Sequence, residues 1–173
     1  MEKRGALALD CDEIYHNLLA ENEEMKIHIS THFEGVFVDG EIDRKRLGEI
    51  VFNDKGSLQK LNKITHKYVV DEVKERISEY EAKGGRFAAI DAIALIESGA
   101  GALCDKIVGI IAPVDKRISR IMERDGISRE RAQMRIDAQM PDSFFIENCD
   151  EIIENTFDTL EEFENACKIL IPE

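Results

Sequence analysis

The sequence has no tryptophan, only three prolines and four cysteines, and its aromatic residues make up 6% of the chain. The cysteines, Cys11, Cys104, Cys149 and Cys167, form no C-x-x-C pair. That excludes the usual ligand spacing of a structural zinc site or a dithiol redox centre. Free, scattered thiols suit a reducing cytosol. No apolar run approaches the roughly 20 residues of a membrane span, and the opening MEKRGALALD is too short and too charged for a secretory signal. The expected location is therefore cytoplasmic. Basic charge is scarce as well: 23 Lys and Arg stand against 36 Asp and Glu, a net charge of −13. Such a surface repels nucleic-acid phosphates and acidic membranes, so neither is an expected partner, and any bound anion must meet a local basic patch. One more absence concerns phosphate itself. Nowhere is there G-x-x-x-x-G-K-[ST], the loop whose backbone amides and lysine cradle phosphates. Gly99-Ala100-Gly101 is followed by Ala-Leu-Cys and lacks the lysine.

What is present suffices for one ordinary domain of 173 residues, with 43% hydrophobic residues to bury. Ala6-Leu7-Ala8-Leu9 reads as a buried strand ending at Asp10. The segment 13–33 has a helical pattern, and 34–40 reads as a turn or small hairpin around Val36-Phe37-Val38. Asp43 is placed to cap a helix to about Phe52, and a longer helix opens at Ser57 and stops at Gly84-Gly85. The second half changes rhythm. Strands are expected at 87–90, 106–112 and 151–154, with a helix from Pro113 to Arg124 and another from Ser128 to Gln139, ended by Pro141. Thr159 caps a last helix through Leu170. Unbroken apolar strands alternating with helices predict an α/β fold on a parallel sheet. The nearly strandless stretch 13–83 reads as a helical subdomain inserted after the first visible strand.

Three features could carry chemistry. Asp10-Cys11-Asp12 directly follows a strand, and ligands of open parallel sheets bind beyond the carboxyl ends of strands. Carboxylates there could hold Mg²⁺ or accept a substrate proton, or one of them could simply cap the next helix. Next, six of the eleven arginines fall at Arg117, Arg120, Arg124, Arg129, Arg131 and Arg135, and residues 116–136 carry a local balance of +4. Arg117, Arg120 and Arg124 share one helix face, as do Arg131 and Arg135. Two such helices joined at Asp125-Gly126 are expected to form a flap over a polyphosphate, since guanidinium forks match phosphate oxygens. The alternative is a solvated charged face. Last come single polar residues at element ends: Arg44, His66, Glu97, Gln139 and Asn155. The other histidines, His16, His28 and His32, are read as ordinary surface residues, and no residue set is read as a metal site held by the protein alone.

Taken in order, the blocks ALALDCDEIYH, GEIDRKRLGEIVF, LNKITH, DAIALIESG, RIMERDGISRERAQMRIDAQ and CDEIIEN resemble dephospho-CoA kinase, from Gly5 to about Leu170. The resemblance implies a P-loop kinase of three layers around a parallel sheet. It also implies transfer of the ATP γ-phosphoryl group to the 3′-hydroxyl of dephospho-CoA, the last step of coenzyme A synthesis, with ATP and Mg²⁺ as the implied cofactors. Residues 1–173 then form one kinase-like domain, with 13–83 as the helical substrate subdomain and 114–141 as a lid. Asp12 matches the aspartate that accepts the proton of the attacking hydroxyl, and Asp10 its strand-end neighbour. Arg44 and His66 match substrate-gripping positions. Arg120 and Arg124 match lid arginines near the adenine and phosphates, Arg135 and Gln139 the closing lid helix, and Asn155 the adenine pocket. Lys67 follows His66 where the family usually has proline. The family's first strand, P-loop and first helix have no counterpart in these residues; Met1 to Gly5 match the tail of that helix. The chain as written is accordingly expected to be inactive. Two other readings stay in view: a non-catalytic CoA- or nucleotide-binding module, and a haloacid-dehalogenase-type phosphatase using Asp10 as nucleophile.

Overall fold

A computed structural model describes residues 5–168. The expected helical tail at Met1 to Arg4, and Leu170 in the last helix, lie outside the described residues. The chain divides into two compact units, Met1–Leu103 and Cys104–Glu173.

The first unit opens with β1 (Leu7–Asp10), followed at once by α1 (Cys11–Glu21) and α2 (Glu23–His32). The helical pattern from 13 to 33 is thus two helices. Asn22 divides them because it serves both ends: its N–H closes α1 on the Leu18 carbonyl, and its side-chain oxygen accepts from the Met25 N–H at 2.8 Å to start α2. Next come β2 (Phe37–Val38) and β3 (Glu41–Ile42), an antiparallel hairpin. Asp39 and Gly40 sit at its tip with φ of 51° and 87°, the doubly left-handed turn that Asp-Gly favours and that matches strand twist. The helix α3 (Arg44–Asn53) is capped by Asp43 as expected. The long α4 (Lys55–Ala82) begins two residues before Ser57, because Asp54 is the capping side chain and Ser57 donates its N–H to it at 2.7 Å. Then β4 (Ala88–Asp91) runs parallel to β1 in the register Leu7↔Ala88 to Asp10↔Asp91, and a short 3₁₀ helix at Ala100–Leu103 closes the unit.

One apolar cluster holds this unit together: Ile14, Met25, Ile29, Val36 and Val73 are essentially sealed from solvent. Lys26 is buried among them, and its ammonium meets Glu23 at 3.0 Å and Glu41 at 3.1 Å, which ties the hairpin to α2.

The second unit pairs β5 (Val108–Ile111) in parallel with β6 (Glu151–Glu154). Between them lie α5 (Val114–Asp125), α6 (Arg129–Asp137) and α7 (Asp142–Asn148); α8 (Leu160–Cys167) follows. Gly126 ends α5 in the left-handed conformation at φ 63°, which glycine adopts without a side-chain penalty. Ser128 caps α6 and Thr159 caps α8 with a full capping box. Pro141 does more than end the α6 region: it is the N-cap residue of α7, an element with no expected counterpart. The α5–α6 pair packs around Ile118, Ala132 and Ile136.

Parallel pairing is therefore as expected, but burial on both strand faces is not. Ala8 and Ile110 are exposed, because in each unit the parallel strands form only a two-stranded pair and leave alternate side chains open to solvent. Among the described residues no helix is long and apolar enough to cross a membrane.

Candidate functional site

Candidate side chains gather in both units. In the first, the carboxyl end of the β1–β4 pair carries Asp10 and Asp91 side by side in register. The choice left open for Asp10-Cys11-Asp12 resolves by division of labour. Asp10 is the cap: its Oδ1 accepts from the Asp12 N–H at 2.9 Å and the Glu13 N–H at 3.0 Å. Asp12, in the first turn of α1, is exposed, and among the described residues its carboxylate has no hydrogen-bond or ion-pair partner. The strand–helix junction holds this carboxylate at the N-terminus of α1, the end at which the helix dipole favours negative charge.

Arg44 stands at the first position of α3, exposed, and its guanidinium acts on the phenol of Tyr15 on α1. Burial raises the Tyr15 pKa and Arg44 partly offsets this, so Tyr15 is a neutral hydrogen-bonding group at neutral pH. His66, half-buried on α4, is held below the usual histidine value by burial, with the Glu97 carboxylate pulling it back up. The structure thus brings together pairs named only as single residues, or not at all, in the sequence: Arg44 with Tyr15, and His66 with Glu97. Asp91 was visible only as a residue after a strand. Its place beside Asp10 depends on register, which single-strand patterning does not show.

In the second unit, α5 presents Lys116 and Arg120 toward the loop after β6. Arg120 Nη2 donates to Asn155 Oδ1 at 3.2 Å and to the Phe157 carbonyl at 2.8 Å. Lys116 Nζ donates to the Thr156 carbonyl and, at 2.6 Å, to the Asp158 carboxylate. Lys116 holds the Asp158 carboxyl below the usual carboxylate range. An open cavity of about 320 Å³ is lined by Asp115, Lys116, Ser119, Arg120, Phe157 and Asp158. It combines the Phe157 ring with two cations, Lys116 and Arg120, and two carboxylates, Asp115 and Asp158. Arg120 and Asn155 were both named from sequence; Phe157 and Asp158 were not, since no local pattern marks them.

Four other arginines of the cluster, Arg117, Arg124, Arg129 and Arg135, are tied to carboxylates. Arg124 Nε meets Asp125 Oδ1 at 2.8 Å, and Arg135 meets the other oxygen of the same carboxylate. The Arg124 contact, helped by Arg135, depresses the Asp125 pKa against a smaller opposing effect of burial. Arg129 pairs with Asp115 at 2.6 Å and Arg117 with Asp142 at 3.1 Å. Gln139, exposed, follows the end of α6, its N–H bonded to the Ile136 carbonyl. Among the described residues no group of three or more His, Cys, Asp or Glu side chains converges as a metal site.

Parallel strand pairs ending in carboxylates and interleaved with helices define an α/β protein of the layered class. The comparisons make this specific. The family model described as dephospho-CoA kinase matches residues 1–161. Dephospho-CoA kinase of Fusobacterium nucleatum is 34% identical over 98% of this chain and 89% of its own, and that of Carboxydothermus hydrogenoformans is 33% identical over 90% and 77%. Among solved structures, a Thermus thermophilus protein superposes with a TM-score of 0.76 at 28% identity, covering 98% of this chain and 85% of that one. Dephospho-CoA kinase from Campylobacter jejuni gives a TM-score of 0.66 at 30% identity over the same shares. The chain belongs to the dephospho-CoA kinase family and is, by family, a kinase.

Proposed function

We propose that this chain carries the substrate- and nucleotide-holding parts of an enzyme that transfers the γ-phosphoryl group of ATP to the 3′-hydroxyl of dephospho-CoA, the closing step of coenzyme A synthesis. One observation carries the residue assignment: Asp10 is spent on capping α1, which leaves the Asp12 carboxylate exposed and unpartnered among the described residues at the strand tip. Asp12 is the group that accepts the proton of the attacking hydroxyl. Arg44 and His66, in a substrate subdomain spanning 13–83, hold the phosphate-bearing acceptor, with Tyr15 and Glu97 orienting them.

Residues 114–141 form a lid over the nucleotide. Arg120 and Asn155 frame the adenine side, and Arg124 and Arg135 serve the phosphates, with Gln139 at the end of the lid. Phosphoryl transfer needs positioning and charge neutralisation more than covalent chemistry, and arginines on a closing element provide both. In the structure Arg124 and Arg135 share Asp125. Bound phosphate replaces that carboxylate with a more highly charged partner. Magnesium is typically held by one or two carboxylates plus substrate phosphates. Asp91, next to Asp10 in register at the carboxyl end of the strand pair, would supply such a carboxylate, and the ion would neutralise charge on the transferring group.

The 173 residues contain no G-x-x-x-x-G-K-[ST] loop. We infer that alone they transfer phosphate poorly, since no lysine-bearing loop cradles the β- and γ-phosphates. The residue assignments are tested in a chain given a strand–glycine loop–helix unit ahead of Met1. There Asp12→Asn should lower kcat roughly 10²–10⁴-fold, and Arg124→Ala about 10²–10³-fold. Near-normal rates in both variants would show that the site is misplaced. A chain that binds dephospho-CoA tightly by calorimetry but turns over in neither form would instead be a non-catalytic binding module.

A further inference from the structure

Each of the four consecutive residues 155–158, after β6, is held by a cation on α5. Arg120 takes the Asn155 side chain and the Phe157 carbonyl, and Lys116 takes the Thr156 carbonyl and the Asp158 carboxylate. Lys116 and Arg120 stand at i and i+4, so they share one helix face and grip a single segment. The ends of that segment are fixed as well. The Asn155 N–H donates to the Ile111 carbonyl at 2.7 Å, and the Asp158 and Thr159 N–H groups both donate to Glu162 at 3.2 Å. What the segment holds up is the Phe157 ring. It is half-buried, lines the open cavity of about 320 Å³, and is backed by Phe163 of α8 with ring centroids 6.4 Å apart. A fixed aromatic ring on a cavity wall is a stacking surface for a planar base, since every base has a π-face.

Lys116 has a rival role: a lysine in this cavity could take a phosphate directly. Its contacts favour the loop instead. Two of its three N–H donors are spent on residues 156 and 158, and the Asp158 carboxylate at 2.6 Å offsets its charge. Its side chain is also only 34% exposed. We propose that Lys116 is a positioning residue for the nucleobase: with Arg120 it fixes residues 155–158 so that the Phe157 ring stacks on the base of the bound nucleotide. This rests on the nucleotide reading of the second unit and adds which groups there serve the base rather than the phosphates. Phe157 makes the contact; Lys116 touches neither the base nor the reacting atoms.

Titrations of the 173-residue chain with adenosine, ATP and inorganic tripolyphosphate, followed by NMR, separate the two roles. Lys116→Ala should weaken adenosine and ATP by the same factor, about 5-fold, the scale of one partly exposed charge pair. Tripolyphosphate should stay within about 2-fold at physiological salt, where distant charges are screened. Lys116→Arg should keep adenosine binding, since a guanidinium also donates to a carbonyl and a carboxylate together. Phe157→Leu should weaken adenosine roughly 10-fold, the scale of lost base–aromatic stacking. The wild type needs no variant: adenosine should move the Phe157 ring protons upfield, because a stacked base shields them. Adenosine binding without that shift overturns the proposal and leaves the nucleotide reading standing. So does a Lys116→Ala variant that weakens ATP and tripolyphosphate but not adenosine, or one that loses all three alike, the mark of a merely structural role. A folded wild type that binds none of the three overturns both.

Discussion

The two units differ in how much apolar surface they seal and in what their ion pairs hold. Among the described residues the first buries sixteen in one apolar cluster, whereas the α5–α6 pair of the second closes over three. Both units carry ion pairs, but those of the second take up the arginines of α5 and α6: Asp115, Asp125 and Asp142 hold Arg129, Arg124 with Arg135, and Arg117. Apolar burial is insensitive to pH and salt, but exposed ion pairs are screened and titrate. The first unit therefore presents Asp12, Arg44 and His66 from a fixed frame. The second holds Arg117, Arg124, Arg129 and Arg135 on carboxylates.

The largest effect expected from breaking this contrast lies in the first core. Ile14→Ala deletes a sealed side chain and should cost about 2–5 kcal/mol, read as a fall in the denaturant midpoint. Acid should act instead on carboxylates held by partners, most of them in the second unit. Asp125 and Asp158 have depressed pKa values in the folded chain, so the stability they contribute is present above the unfolded carboxylate value, about 4. It is lost as pH falls through the folded values. Amide exchange of α5 and α6 should rise below about pH 4 and with added salt, as should that of the first turn of α4, whose cap Asp54 is likewise held below the usual carboxylate range by its hydrogen bond to Ser57, while α1 holds. Equal sensitivity of the two units would dissolve the distinction. A smaller change tests packing within the second unit. A Cβ on Gly109 would lie 2.7 Å from the Ile152 side chain and 3.0 Å from the Cys149 sulfur. Gly109→Ala should therefore destabilise by roughly 1–3 kcal/mol, the scale of overpacking. The subtlest test concerns His66. Burial lowers its pKa and Glu97 raises it, so its midpoint by proton NMR should fall below 6.5 and fall further in Glu97→Gln. Here too stability is present above the unfolded value and lost as pH drops through the folded one.

Much of this was legible in the residues. Asp43, Ser128 and Thr159 announce their helices because short polar side chains satisfy the free amides of a first turn. The parallel strands show as apolar runs, and Arg120 and Asn155 each stand out in the sequence and meet in the structure. The rest depends on partners distant in sequence or on choices between equivalent caps. Asn22 splits a continuous apolar period, and Asp54 takes the cap in place of Ser57. Asp125 gathers two guanidiniums although its own neighbours suggest only a break between helices. The pairing of Asp10 with Asp91 is a matter of register.

The most direct test compares phosphorylation of dephospho-CoA by ATP in two preparations: the 173-residue chain, and the same chain preceded by a strand, a glycine loop ending in Lys-Ser, and a helix. Turnover confined to the second, and reduced there by Asp12→Asn, is the expected result. Ordinary kinase rates from the first, or a second that stays inactive while folded, would contradict it.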